Sequence, residues 1–297
     1  MNYEKAVSNI RKELKAYIEK WKIQSLVIGI SGGIDSCLCA VLAKVVCEEL
    51  NIPLIGRSLP ITTNTQDEIN RADLIGRVFC SNFRRENLDE IFNKLSIINP
   101  DPIYSYIESI DIRGLSDKQI TKEWKIRNGN IKARLRMIYL YNTASQNRLV
   151  LSTDNYTEYL LGFSTIMGDW GDFGMIQYLW KTEVYEMSEW IANNECKFLD
   201  QQEALMSTIE AMATDGLGVS NLGDLGQILP EWKGNSRDGY VEVDKILQQM
   251  ESISIRNPHH ELDNHPVILR HLNSQFKRDW PITIKRNKIL AIQEDVL

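Results

Sequence analysis

The chain has 297 residues, of which 43% are hydrophobic and 25% are charged. These values are typical of folded globular proteins and exclude a disordered, collagen-like or coiled-coil chain. Its 34 basic and 40 acidic residues give a formal net charge of −6. The chain as a whole therefore lacks the positive charge that nucleic-acid binding usually requires, and we expect no nucleic-acid partner.

The five cysteines are odd in number, and no pair has the C-x-x-C spacing. This pattern indicates neither a disulfide framework nor a zinc ribbon. The N-terminal segment is charged throughout and has no apolar stretch of the kind found in signal peptides. No uninterrupted apolar run reaches the roughly 18 residues of a membrane span. We therefore expect a cytoplasmic protein without a membrane partner.

The first half of the chain predicts a strand, helix, strand unit. Apolar residues at steps of three and four predict an amphipathic helix over residues 3–21. Residues 25–30 form a short apolar run without alternation, which is typical of a strand buried in a parallel sheet. A loop of sequence S-G-G-I-D-S, a helix from Ser36 and a strand near 53–56 follow.

The alternation continues, and the whole chain is predicted to form one domain over residues 1–297. The further elements are helices near 65–80, 87–97, 128–145, 156–162 and 181–193 and a strand at 149–152. Segments rich in Pro, Gly or Asp, predicted as mobile loops, lie at 99–128, 162–175 and 213–240. The pattern predicts an α/β fold: a doubly wound parallel sheet flanked by helices. Ligands of such sheets bind at the carboxyl ends of the strands, near a topological switch point.

The S-G-G-I-D-S loop joins a buried strand to a helix N-terminus, where free backbone N–H groups and the helix dipole favour an anion. Adjacent glycines let the backbone approach a phosphate, and the serines add hydroxyl donors. The loop fits neither G-x-x-x-x-G-K-[ST] nor G-x-G-x-x-G. The carboxylate of Asp35 inside an anion site indicates a cation such as Mg²⁺. The alternative is that Ser36 or Asp35 merely caps the helix.

This loop resembles the pyrophosphate loop of the ATP pyrophosphatases, which cleave ATP between the α and β phosphates. Among the families with this loop, the chain most resembles ammonia-dependent NAD⁺ synthetase, on the basis of segments 129–137, 152–158, 168–169 and 181–184. The resemblance implies an adenine nucleotide alpha hydrolase-like fold. The resemblance extends over residues 3–287. It implies amidation of deamido-NAD⁺ to NAD⁺ through an acyl adenylate, with Mg²⁺ as cofactor and AMP and pyrophosphate as products, by a homodimer. Because the match fills the chain and leaves no room for a glutaminase domain, we expect free ammonia as nitrogen donor.

The resemblance also assigns roles to individual residues. The residues that it places on ATP are Gly29, Ile30, Ser31, Gly32, Gly33, Ile34, Asp35, Ser36, Thr153, Lys181 and Thr214. Those that it places on the dinucleotide substrate are Arg134, Asp172, Lys277 and Arg278. It makes Asp35 and Glu158 the metal ligands, and these two residues with Lys181 form the expected catalytic set.

Each assignment has a purely structural alternative. Asn155 and Glu158 have the spacing of a helix capping box. Arg134 lies in a predicted helix, where an arginine commonly faces solvent or pairs with an acid such as Glu123. The alternative for Lys181 is that it is an ordinary charged residue on the protein surface.

The chain departs from the family pattern at three positions. Ile166 stands where the family has a lysine, Phe276 where it has a histidine, and Ser152 where it has a glycine. These departures keep two other hypotheses open. One is another adenylating enzyme with a pyrophosphate loop that acts on a different carboxylate or on tRNA. The other is a nucleotide sensor without catalytic activity.

Overall fold

A computed structural model describes residues 1–98, 117–214, 223–252, 262 and 264–280. Five parallel strands form one sheet in the order β3-β2-β1-β4-β5. The strands are β1 Ser25–Gly29, β2 Leu54–Ser58, β3 Asn82–Arg85, β4 Arg148–Ser152 and β5 Phe173–Gly174. The helices of the described residues are α1 Tyr3–Trp21, α2 Ile34–Leu50, α3 Gln66–Phe79, α4 Asp89–Ile98, α5 Asp117–Thr143, α6 Tyr156–Leu161, α7 Lys181–Asn194, α8 Leu199–Ile209, α9 Leu225–Ile228, α10 Ser236–Ser252, α11 Pro266–Asn273 and α12 Gln275–Arg278.

Helices cover both faces of the sheet. Leu26 and Ile28 of β1 belong to one buried cluster with side chains of α1, α2, α3, α7 and α8. Val27, which points to the opposite face, packs in a second cluster with Leu135 and Leu140 of α5. Full burial of such side chains stabilises the fold by about 2 kcal/mol each. The unbroken apolar run of β1 thus results from burial on both faces, as the sequence predicts.

The strand order creates a topological switch point beside β1. The chain passes from β1 to β2 and β3 on one side, and then returns to place β4 on the other side of β1. Leu26 pairs with Leu54 of β2 and with Leu149 of β4. The loops that leave the carboxyl ends of β1 and β4 therefore begin next to each other, where doubly wound sheets bind their ligands.

The structure confirms the predicted strands of the sheet and the first helices. It differs from the prediction in two additional strands and in the first residue of α5. The strands β3 and β5 were not predicted, because β3 lies at the sheet edge with mostly exposed side chains and β5 has two residues. Helix α5 begins at Asp117 instead of near residue 128. Residues 117–128 contain neither Gly nor Pro, so nothing in their sequence stops the helix, and Gly129 lies within it.

The three predicted loops are only partly described. Residues 99–116 and 215–222 lie outside the described residues. Within 213–240 the chain forms α9 and the first turn of α10, instead of a continuous loop. Within 162–175, the hydroxyl of Thr165 donates a hydrogen bond of 2.8 Å to Asn130 Oδ1 of α5. In the part of the chain that the structure describes, no helix has the length and apolar character needed to span a bilayer.

Candidate active site

The loop between β1 and α2 has a conformation that requires glycine. Gly32 has a φ of +86°, in the left-handed region that side chains disfavour. A Cβ atom at this position would lie 2.3 Å from the backbone oxygen of Glu68 in α3. The guanidinium Nε of Arg71, also in α3, donates a hydrogen bond of 3.1 Å to the Gly32 carbonyl. The loop is therefore packed tightly against α3.

Hydrogen bonds among the loop residues hold two hydroxyl groups in place. Ser31 Oγ and Ser36 Oγ are 3.1 Å apart, and Ser36 Oγ donates to the Gly33 carbonyl at 3.0 Å. Helix α2 begins after Gly33, and no side chain caps its N-terminus. The alternative that Ser36 or Asp35 serves as the cap is therefore wrong. The first N–H groups of a 17-residue helix face the loop, in the arrangement that binds anions.

A buried lysine joins the two predicted metal ligands. Lys181 Nζ donates hydrogen bonds to Asp35 Oδ2 at 2.5 Å and to Glu158 Oε1 at 2.9 Å. The Lys181 side chain is only 2% exposed, so its interpretation as a surface charge is wrong. The first turns of three helices, α2, α6 and α7, supply these residues. The fold thus brings the three predicted catalytic residues together.

Glu158 forms the predicted capping box and also faces the site. Asn155 Oδ1 accepts a hydrogen bond of 3.0 Å from the Glu158 backbone N–H, and Glu158 Oε2 accepts one of 3.4 Å from the Asn155 N–H. The other carboxylate oxygen of Glu158 contacts Lys181. The capping role and a role in the site are therefore compatible, since each uses a different oxygen.

Carboxylates outnumber cations around Lys181. Burial and repulsion from Asp35 raise the pKa of Glu158 to about 7. Burial, with repulsion from Asp169 and Glu158, holds the pKa of Asp154 well above its ordinary value. Burial disfavours the charged form of Lys181, but attraction to Asp35 and Glu158 outweighs this effect and raises its pKa well above the ordinary value. The site therefore favours the binding of further positive charge.

The donor chemistry of Asp35 and Glu158 fits Mg²⁺. One oxygen from each carboxylate contacts Lys181 Nζ, so the two carboxylates lie side by side in the cleft. Hard divalent cations prefer oxygen ligands, and Mg²⁺ commonly takes one or two carboxylates together with substrate phosphates. No group of three or more Asp, Glu, His or Cys among the described residues has the arrangement of a metal site. Phosphate and water oxygens would have to complete the coordination.

An open cleft contains the loop, the lysine and two predicted threonines. Thr153 follows β4 and lines the cleft beside Glu158. Thr214 lines it from the segment after α8, and its hydroxyl donates a hydrogen bond of 2.5 Å to Glu68 Oε1. The other predicted ATP contacts that line this cleft are Gly29, Ile30, Ser31, Gly33, Ile34, Asp35 and Lys181.

Three arginines that sequence reasoning did not select also line the cleft, namely Arg57, Arg71 and Arg136. Arg57 is 9% exposed and donates to the Gly56 carbonyl at 2.8 Å and to Asn82 Oδ1 at 3.1 Å. A signal for it exists in the sequence, because a charged residue near the carboxyl end of a buried strand commonly faces the ligand side. These cations suit a polyphosphate guest.

The residues predicted to bind the dinucleotide are not among those that line the cleft. Asp172 accepts hydrogen bonds from the Tyr141 hydroxyl at 2.8 Å and from the Val150 N–H at 2.9 Å, so it connects α5 to β4. Arg134 Nε donates to the Ile166 carbonyl at 3.2 Å. The side chain of its alternative partner, Glu123, lies outside the described part of the chain.

Lys277 and Arg278 contact backbone oxygens at the end of α6. Lys277 Nζ donates to the carbonyls of Gly162 and Ser164 at 2.7 and 2.5 Å. Arg278 Nη1 donates to the Leu160 carbonyl at 2.6 Å. Both cations thus stabilise a helix C-terminus, where carbonyl groups and the helix dipole favour positive charge.

The parallel sheet flanked by helices, with a glycine-containing strand-to-helix loop at its switch point, defines an α/β fold of the adenine nucleotide alpha hydrolase-like type. Residues 6–199 match the family model described as NAD synthase. The chain therefore belongs to the NAD synthase family, and it is an enzyme of the carbon–nitrogen ligase class.

Individual relatives agree with this assignment. The chain is 32% identical to an NH(3)-dependent NAD(+) synthetase of Syntrophomonas wolfei over 193 residues, which are 64% of this chain and 70% of the relative. It is similar in structure to an NMN synthetase from Francisella tularensis, with a TM-score of 0.69, 21% identity and coverage of 96% and 99% of the two chains. An NH3-dependent NAD synthetase from Campylobacter jejuni gives a TM-score of 0.65 at 21% identity, with coverage of 96% and 100%.

Proposed function

We propose that this enzyme uses ATP to amidate the nicotinate carboxylate of deamido-NAD⁺ with ammonia, giving NAD⁺, AMP and pyrophosphate. The observation that carries the proposal is the position of Lys181 between Asp35 and Glu158, beside an anion-binding loop. This arrangement suits phosphoryl chemistry, because it combines N–H donors for phosphate oxygens with carboxylates for a divalent cation. The named activity of relatives such as that of S. wolfei supports the choice of substrates.

The first step forms an acyl adenylate. A carboxylate oxygen of the substrate bonds to the α phosphorus of ATP, and the bond from that phosphorus to the bridging oxygen breaks, so that pyrophosphate leaves. The loop N–H groups and the hydroxyls of Ser31 and Ser36 hold the phosphates in line. Lys181 stabilises the negative charge that develops on the departing pyrophosphate. Mg²⁺, held by Asp35 and Glu158, would withdraw charge from the phosphate oxygens when bound.

The second step transfers nitrogen. The lone pair of ammonia attacks the acyl carbon, the bond from that carbon to the oxygen of the mixed anhydride breaks so that AMP leaves with the electron pair, and the nitrogen loses a proton to solvent. No nucleophilic side chain is needed, so the contribution of the protein is positioning and charge stabilisation. We further propose that the active form is a homodimer, as the family resemblance implies.

The test is to incubate the purified chain with ATP, MgCl₂, ammonium and deamido-NAD⁺ and to quantify AMP and NAD⁺ by mass spectrometry. We expect equal amounts of the two products, and neither when the carboxylate substrate is omitted. AMP without NAD⁺, or no AMP under any condition, would contradict the proposal. The absence of AMP together with tight ATP binding would instead support a nucleotide sensor.

A second candidate is the same ligase chemistry on a different carboxylate. It is favoured by the contacts of Lys277 and Arg278, which donate to backbone carbonyls and are not among the cleft residues described. A smaller substrate such as nicotinate mononucleotide needs fewer cationic contacts than a dinucleotide. Including it in the same assay separates the candidates, because the preferred substrate gives the higher kcat/KM.

A further inference from the structure

Asn155, the residue before α6, contacts both of the proposed metal ligands, Asp35 and Glu158. Its Nδ2 donates a hydrogen bond of 2.8 Å to Asp35 Oδ1. Its Oδ1 accepts from the Glu158 N–H at 3.0 Å, and its own N–H donates to Glu158 Oε2 at 3.4 Å. Asn155 is completely buried.

The contacts divide the carboxylate oxygens into two sets. Asp35 Oδ1 and Glu158 Oε2 face Asn155, whereas Asp35 Oδ2 and Glu158 Oε1 face Lys181 Nζ. Because each carboxylate has a partner on both oxygens, neither can rotate without breaking a hydrogen bond to a charged group. Asp35 Oδ2 and Glu158 Oε1 are thereby held side by side against the Lys181 ammonium.

We propose that Asn155 is a positioning residue that holds Asp35 and Glu158 in the orientation required to bind a divalent cation with ATP. The inference rests on the proposed function, in which these carboxylates serve that cation. Asn155 acts through the two carboxylates and does not itself contact the reacting atoms.

Only an amide side chain performs both tasks at this position. The N-cap of α6 needs an acceptor for the Glu158 N–H, which Ser, Asp and Asn all supply. The contact to Asp35 needs a hydrogen-bond donor in addition to the capping acceptor. Among these three residues, only Asn supplies one, through its amide nitrogen. Aspartate would place a like charge against Asp35. Capping and positioning are therefore separable by substitution.

The experiment compares Asn155→Ser, Asn155→Asp and Asn155→Ala with the unsubstituted enzyme. Thermal unfolding is measured in ATP over a series of MgCl₂ concentrations, and the readout is the MgCl₂ concentration that gives half of the ATP-induced rise in Tm. KM for MgATP and kcat are measured separately. Asn2→Ser is the matched control, because Asn2 caps α1 in the same way, accepting from Lys5 N–H, and is exposed.

We expect Asn155→Ser to keep the Tm of the free protein within a few degrees, since the cap remains, and to raise the half-saturating MgCl₂ roughly tenfold, as loss of a hydrogen bond to a charged group predicts. Asn155→Asp should lower the Tm of the free protein, because it places a like charge against Asp35, and Asn155→Ala should raise the half-saturating MgCl₂ as Asn155→Ser does but with a lower Tm. Asn2→Ser should leave the MgCl₂ dependence unchanged. KM for MgATP should rise by a larger factor than kcat falls.

If the MgCl₂ dependence of Asn155→Ser coincides with that of the unsubstituted enzyme, Asn155 is only a helix cap and the inference is overturned. If the unsubstituted protein shows the MgCl₂-dependent shift but forms no AMP with any carboxylate, the proposed function fails while the positioning role stands. If the unsubstituted protein shows no MgCl₂-dependent shift with ATP, both are overturned.

Discussion

The ammonium nitrogen of Lys181 lies 5.5 Å from the centre of the Tyr240 ring. Tyr240 is fully buried in α10, about sixty residues beyond the lysine in the chain. A cation over an aromatic face is attracted by the ring quadrupole, and burial strengthens the attraction. The third contact of the lysine, after Asp35 and Glu158, thus comes from a helix that the sequence pattern did not predict.

Two substitutions of Tyr240 should distinguish the contribution of its aromatic ring from that of its hydroxyl. The hydroxyl is buried and has no hydrogen-bond partner among the described residues, so Tyr240→Phe should leave stability unchanged or raise it by about 1 kcal/mol. Tyr240→Leu removes the ring and leaves a cavity, so it should cost about 3 kcal/mol and lower kcat. Urea unfolding and steady-state kinetics test this. Equal effects of both substitutions would show that the ring does not matter.

Neutralising either proposed metal ligand should abolish pyrophosphate release. Asp35→Asn and Glu158→Gln each remove one formal charge from a pair of carboxylates that both contact Lys181 Nζ. We expect kcat to fall at least about 100-fold, as is typical when a group that stabilises transition-state charge is removed. Circular dichroism should show an intact fold, and Glu203→Gln, on an exposed position of α8, is the control. Near-normal release by both variants would leave the metal site unsupported.

The raised pKa of Glu158 predicts a pH dependence of stability. Because its pKa is about 7 in the folded protein, against an ordinary value of 4.5, the folded chain holds this proton more tightly than the unfolded chain. Its contribution to stability is therefore fully present below pH 4.5 and lost as the pH rises to 7. As the pH rises through this range, the free energy of unfolding should fall less steeply for Glu158→Gln than for the unsubstituted protein. The two slopes should differ by up to about 1.4 kcal/mol per pH unit. Parallel urea titrations of the two proteins across this range would contradict the assignment.

Ammonium should support turnover, and glutamine alone should not. The attacking species is neutral ammonia, so the rate at fixed total ammonium should rise with pH as the fraction of NH₃ increases. The measurement is NAD⁺ formation with each nitrogen source, using glutamine freed of contaminating ammonia. Equal rates with the two sources would rule out the proposed nitrogen donor.

Introducing a lysine at position 166 should tighten substrate binding. The family resemblance implies a lysine at the position of Ile166, whose carbonyl accepts a hydrogen bond from Arg134. One partly exposed cationic contact is worth up to about 1 kcal/mol, so Ile166→Lys should lower KM for deamido-NAD⁺ by a few-fold with little change in kcat. Ile166→Met, which adds length without charge, is the control. An unchanged KM would indicate that position 166 does not face the dinucleotide.

The local sequence was sufficient to predict the loop between β1 and α2 and the strands on either side of the switch point. The loop of Gly32 and Gly33 follows an apolar run that is typical of a parallel strand covered on both faces, and the capping box of Asn155 and Glu158 is a short-range pattern. Such features depend on residues within a few positions of one another, so they can be predicted from the sequence alone.

The tertiary structure alone decided which charges meet. Asp35 and Lys181 are 146 positions apart and form an ion pair because α2 and α7 begin at the same edge of the sheet. Likewise, Lys277 and Arg278, which the family resemblance places on the substrate, contact the carbonyls of Leu160, Gly162 and Ser164 because α12 lies beside the end of α6. Burial and long-range pairing set the charge state of Glu158, because desolvation depends on every element that covers a group and not on its neighbours in sequence.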